Sequence, residues 1–152
     1  MLHSRTLVLA ASIARPHTIL MQGSQPDVAL IAATQRWIDD IVVGHNLCPF
    51  AAAVRHHTRY VVCRTHTMGT FDDELKRLCA VDPKQAATTL VLLPGEEFAD
   101  FASLMRLQPE VQQLADDMLA DVQILPFHPL ATYGPASDEE EEEDVGGGDE
   151  DG

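Results

Sequence analysis

Thr88-Thr89-Leu90-Val91-Leu92-Leu93 is a continuous β-prone, largely apolar run, closed abruptly by Pro94-Gly95. A strand without polar alternation has to be covered on both faces, which is the situation of a strand in a parallel sheet flanked by helices. Tyr60-Val61-Val62-Cys63 and Val122 to Phe127 read as two further short strands, the last ended by Pro126 or Pro129. Between and before these runs the apolar spacing changes to that of a helix. From Val28 to Val43 the residues Leu30, Ile31, Thr34, Trp37, Ile38, Ile41 and Val42 fall on one arc, with Arg36, Asp39 and Asp40 opposite, and Gly44 is placed to supply a left-handed terminator. Thr70 to Ala80 carries acids first and bases later, as the helix dipole favours, over a stripe of Phe71, Leu75, Leu78 and Cys79. Pro109 divides the next region into two helical stretches, one marked by Phe98, Phe101, Ala102 and Met105, the other by Val111, Leu114, Ala115, Met118 and Leu119.

The order α-β-α-β-α-β specifies an α/β domain: a small sheet of about three strands with helices packed on it. It occupies residues 27–133. The flanks differ in composition. Residues 1–26 hold Arg5 and Arg15 and no acid before Asp27, which suits a mitochondrial or other organelle targeting segment, with a secretory signal or an unstructured start as alternatives and the cytoplasm as the location if there is no targeting. Residues 134–152 form an acidic low-complexity tail, expected to be disordered because it can bury no apolar surface. That tail holds 10 of the 24 acids, between Asp138 and Asp151, so the net charge of -14 belongs mostly to it.

An acidic balance argues against general nucleic-acid binding, which needs bases to neutralise phosphates. No apolar stretch reaches the roughly 18 residues of a membrane span. Cys48, Cys63 and Cys79 show no Cys-x-x-Cys pair, which argues against both a disulfide framework and a structural zinc site, and the sequence names no cofactor.

One block carries a family resemblance. Trp37-Ile38 followed by Ile41-Val42-Val43-Gly44-His45-Asn46-Leu47-Cys48-Pro49-Phe50-Ala51 resembles the signature of the family catalogued as domain of unknown function 1415. Arg59 to Val62, Thr88 to Leu90 and Phe127-His128-Pro129 are similar to its later blocks. The family has no assigned activity, so the resemblance implies a domain and not a reaction. Its members usually continue beyond the Phe-His-Pro block into a segment rich in Asn, Arg, Ser and Pro and a closing helix. This chain turns acidic there, which implies a C-terminally truncated copy.

Cys48 is the leading chemical candidate, since a loop thiol near basic groups can become a nucleophile. His45, three residues earlier, and His128, at the end of the last strand, are the bases it could use, His128 because α/β proteins gather their sites at that edge. The opposing reading is a packed thiol, because free cysteine is among the most buried residue types. Arg55, Arg59 and Arg64 lie in a stretch with no acid between Asp40 and Asp72, a local positive patch suited to a small anionic ligand or to solvent-facing charge. Adjacent His56 and His57 point in different directions on a helix and no metal site is expected from them. Cys63 and Cys79 fall on apolar faces and read as core. Two functions follow. One is thiol chemistry at Cys48 on an anionic small molecule; the other is a non-enzymatic interaction module whose acidic tail takes a basic protein partner. A non-functional fragment is the third possibility.

Overall fold

The computed structural model describes residues 5–11, 26–65, 67–82 and 85–128. Its strands are β1 (Arg5–Ala11), β2 (Thr58–Val62), β3 (Ala87–Leu93) and β4 (Val122–Phe127). Its helices are α1 (Asp27–Trp37), α2 (Ala51–Val54), α3 (Met68–Ala80) and α4 (Phe101–Asp117). A π-helical segment, Ile38–Val43, extends α1, and short 3-10 turns occupy Arg55–His57 and Glu96–Phe98. The architecture is the expected α/β one. All strand pairs are parallel, in the order β2-β3-β1-β4.

The sheet has four strands where about three were expected, and the additional one is central. Residues 5–11 were expected to lie outside the domain, in a targeting or unstructured segment. Instead β1 pairs with β3 on one side, Leu9 opposite Val91, and with β4 on the other, Leu7 opposite Ile124. Leu7, Leu9, Ala10 and Ala11 are buried, which is what a strand inside a covered parallel sheet requires. Arg5, whose charge contributed to the targeting reading, donates from Nη2 to the Val81 carbonyl at 2.7 Å. The rest of residues 1–26, apart from Pro26, and the expected acidic tail lie outside the described residues.

One face of the sheet carries the core. Leu7, Leu9, Val91, Leu93 and Ile124 pack with Phe71, Leu75 and Leu78 of α3 and Leu104, Leu107, Val111 and Ala115 of α4. That stripe explains why Pro109 does not divide α4. Proline removes one helix hydrogen bond at a cost of about 3 kcal/mol, but apolar positions before and after it share one buried face, and Pro109 itself is on the exposed side. Asp100 caps the helix by accepting from the Ser103 amide at 2.7 Å. The helix stops at Asp117 rather than running through Leu119. Leu119 takes a left-handed φ of 51° and its amide meets the Asp116 carbonyl, while Ala120 reaches back to Ala115. Phe98, assigned from sequence to the first helical stretch, is buried in the preceding 3-10 turn.

The opposite layer is thinner. Of α1 and its π-helical extension only Thr34 is buried, its hydroxyl donating to the Leu30 carbonyl, and the expected apolar arc is half-covered at best. Trp37 meets Phe127 of β4 with ring centroids 4.8 Å apart. Among the described residues no helix is long and apolar enough to cross a membrane.

Candidate functional site

The Cys48 turn grows out of the way α1 ends. A π-helix places one extra residue in each turn, and such segments are rare and recur at functional sites. Here the Gly44 amide reaches the Asp39 carbonyl at 3.0 Å, five residues back. Gly44 has an ordinary right-handed φ of -59°, so it is not the left-handed terminator expected from sequence. Its role is spatial: a Cβ there would lie 2.3 Å from the Asp40 carbonyl oxygen. Asn46 is the left-handed residue, at φ 50°. The Leu47 amide bonds the Val42 carbonyl at 2.9 Å and the Asn46 amide bonds that of Val43 at 3.0 Å, a Schellman pair that closes the helical segment.

Cys48 follows directly, half-buried, and its carbonyl accepts from the Ala51 amide as α2 begins. His45 is exposed on the same turn. Leu47 and Phe50, on either side of Cys48 and Pro49, are 66% and 73% exposed. Arg55 ends this corner. Its Nη1 lies 3.4 Å from Asp39 Oδ1 on the π-helical segment, and its Nε donates to His56 Nε2 at 3.1 Å.

The other two thiols are placed differently. Cys63 is buried against the core, its Sγ 3.6 Å from the Thr65 carbonyl, and burial pushes its thiol pKa up against the opposing bonds from Thr70 and Thr67. Cys79 is half-buried and packs on the core cluster. Both agree with the apolar-face reading.

His128 has other neighbours than Cys48. Strand alternation sends Phe127 to the α1 side, against Trp37, and His128 to the α4 side. There it is 4% exposed, with Nε2 3.0 Å from the Phe98 carbonyl and its ring 6.0 Å from that of Phe101. It also lies close enough to Asp100 to help lower that carboxyl's pKa, an effect due first to the Ser103 amide and hydroxyl.

The arginines are dispersed over three elements, each beside a carboxylate. Arg59 grips Glu74 of α3, Nε to Oε2 at 2.8 Å and Nη2 to Oε1 at 3.1 Å. Arg64 places Nε and Nη2 3.0 and 2.8 Å from Asp27 Oδ1 at the start of α1. Arg55 alone belongs to the Cys48 corner. A groove of about 490 Å³ is lined by Ala53, Val54 and His57 on one side and Val81, Gln85, Ala86 and Ala87 on the other. It opens at the first residue of β3, the opposite edge from the one where parallel sheets usually bind ligands. Cys48, His128 and the three arginines do not line it. Among the described residues no three His, Cys, Asp or Glu side chains gather to hold a metal ion.

Sequence reasoning missed the carboxylate partners. Glu74 had a signal, because it lies three residues after Phe71 and four before Leu78, on the apolar stripe of α3, where an acid needs a partner. Asp27 beside Arg64, 37 residues away, had none. The exposure of Leu47 and Phe50 had no sequence signal either, since whether an apolar turn residue is covered depends on what packs over the turn.

Residues 29–145 match the family described as Protein of unknown function (DUF1415). No curated protein and no solved structure matches the chain.

Proposed function

Since the chain belongs to the DUF1415 family of proteins of unknown function, whose description names no reaction, we propose that its working surface is the Cys48 corner and that Cys48 is a reactive thiol there. His45 is the neighbouring base and Arg55 the cation that receives a small anionic molecule. The observation carrying this reading is the setting of the thiols: Cys63 is sealed in the core and Cys79, half-buried like Cys48, packs on that core, whereas Cys48 lies in a surface turn just after a π-helical segment. His128 has no part in the proposal, because it turns to the α4 side and is buried there. Arg59 and Arg64 are likewise left out, being engaged with Glu74 and Asp27 on other elements.

Alkylation of the native protein across pH 5 to 9, with each cysteine read by peptide mass spectrometry, tests it. Cys48 should react fastest of the three, while Cys63 stays protected until the protein is denatured. Replacing His45 by Gln should slow Cys48 alone. Equal protection of Cys48 and Cys63 in the native state would remove the thiol reading.

A further inference from the structure

We propose that the same corner, formed by the π-helical segment Ile38–Val43, the His45–Phe50 turn and α2, is the surface through which this chain pairs with a second copy of itself. Leu47 and Phe50 project into solvent at 66% and 73% exposure, and Ile41 beside them is 38% exposed. The turn that carries them is fixed by the Leu47–Val42, Asn46–Val43 and Ala51–Cys48 backbone bonds, so burying these side chains orders little more than the side chains themselves. Exposed apolar groups on a rigid support are the usual anchors of an interface. Among the described residues the other large apolar side chains exposed by more than half, Val28 and Leu119, lie at helix ends far apart in the chain.

Charge selects the occupant. Exposed Asp39 and Asp40 lie on the π-helical segment, and exposed Arg55, His56 and His57 follow α2. A surface with exposed acids on one element, exposed bases on the adjoining one and exposed apolar residues on the turn between them in the chain complements its own copy under a two-fold rotation: the acids of one copy meet the bases of the next and the reverse. A nucleic acid or a uniformly basic partner would meet repulsion from half of it. The long 3.4 Å contact of Arg55 with Asp39 is an exposed pair of the kind that exchanges partners at little cost. The contact brings two copies of Cys48 near one interface but does not depend on their reactivity.

Sedimentation equilibrium of the full chain, over about 1 to 500 μM, reads the result directly. The wild type should show a monomer–dimer equilibrium, and Phe50→Asp should weaken it at least about tenfold. Asp40→Arg and Arg55→Asp should each weaken self-association, while an equimolar mixture of these two variants should restore a heterodimer, because both cross-contacts then pair opposite charges. All the altered side chains are exposed, and circular dichroism verifies their folding; if Phe50→Asp unfolds, Leu47→Asp serves in its place. A wild type that stays monomeric, a dimer indifferent to both apolar variants, or a mixture that fails to recover would overturn the proposal. Alkylation of Cys48 separates it from the thiol reading: pairing predicts slower alkylation at high protein concentration. Rapid alkylation at every concentration removes this contact and leaves the thiol reading standing. Slow alkylation even in the dilute monomer removes the thiol reading and leaves the contact standing.

Discussion

Arg59 and Glu74 form a two-pronged ion pair that ties the edge strand β2 to α3, with Nε–Oε2 at 2.8 Å and Nη2–Oε1 at 3.1 Å. The pair is asymmetric in burial: the Glu74 side chain is almost wholly enclosed and that of Arg59 is half exposed. Glu74 raises the Arg59 pKa, first through the hydrogen bond.

Removing the arginine should therefore cost more than its exposure suggests. Among the described residues Arg59→Ala leaves the buried carboxylate with Arg77 alone, at 3.7 Å, and should destabilise the protein by about 2 kcal/mol. In Arg59→Ala/Glu74→Leu the unpaired charge is gone, and a substantial part of that loss should return. Urea unfolding of the two variants beside the wild type measures both effects.

Gly44→Ala should be the most disruptive small substitution in the Cys48 corner. The new methyl would meet the Asp40 carbonyl at 2.3 Å, and the obstacle is backbone, which cannot move without opening the π-helical segment. A loss of about 2 kcal/mol or more is expected, with faster alkylation of Cys48 as the turn loosens. An unchanged melting temperature would contradict the geometry.

Leu119→Gly should stabilise. A leucine with φ at 51° occupies a conformation that costs an L-residue about 1 kcal/mol, and at 94% exposure its side chain returns almost nothing by burial. The gain should be somewhat below 1 kcal/mol, because glycine also widens the unfolded ensemble. Denaturant titration at constant slope detects it.

Deleting residues 1–12 should abolish the cooperative thermal transition. The deletion removes the strand between β3 and β4, leaving each with an unpaired backbone edge, and takes buried Leu7 and Leu9 out of the core. A variant that melts as sharply as the full chain would mean that β3 and β4 can pair without β1. Double substitution of Leu7 and Leu9 by Asp should reproduce the loss at full length.

Asp100 gives the fold a dependence on acid. Its carboxyl pKa is lowered from 3.8, first by the Ser103 amide and hydroxyl and further by Arg106 and His128. A lowered folded-state pKa means the contribution to stability is present above 3.8 and is lost as pH falls through the folded value. Asp100→Asn should flatten the decline in stability below about pH 4 while changing little near pH 7 beyond the capping bond that Asn retains. Unfolding curves at several pH values across that range compare the slopes.

The candidate site was legible where its parts are close in the chain. His45 and Cys48 share one turn, and any fold that ends α1 near Gly44 keeps them together. Sequence could not tell which residue makes the left-handed turn, because the π-helical bonding shifts the terminator from Gly44 to Asn46. His128 was placed correctly at the end of the last strand, but its direction depends on the parity of β4 relative to the two helical layers. Pro109 misled because its local cost is visible in sequence, while the shared buried face of Leu104, Leu107, Val111 and Ala115 is a property of the packed helix.

Residue order alone specifies the kind of layers this protein builds: three apolar runs became β2, β3 and β4, α3 followed its period of 3.6, and the parallel α/β class followed from their alternation. Those signals are local, carried by side chains within one or two turns of each other. Long-range packing is what puts Arg5–Ala11 in the slot between β3 and β4 and brings Arg59 and Arg64 to Glu74 and Asp27. The reason is the same in each case. A short run such as Thr6 to Ala11 carries no mark of its neighbours, and a guanidinium carries none of its carboxylate; each is fixed by what the rest of the chain leaves uncovered or uncompensated once it has packed.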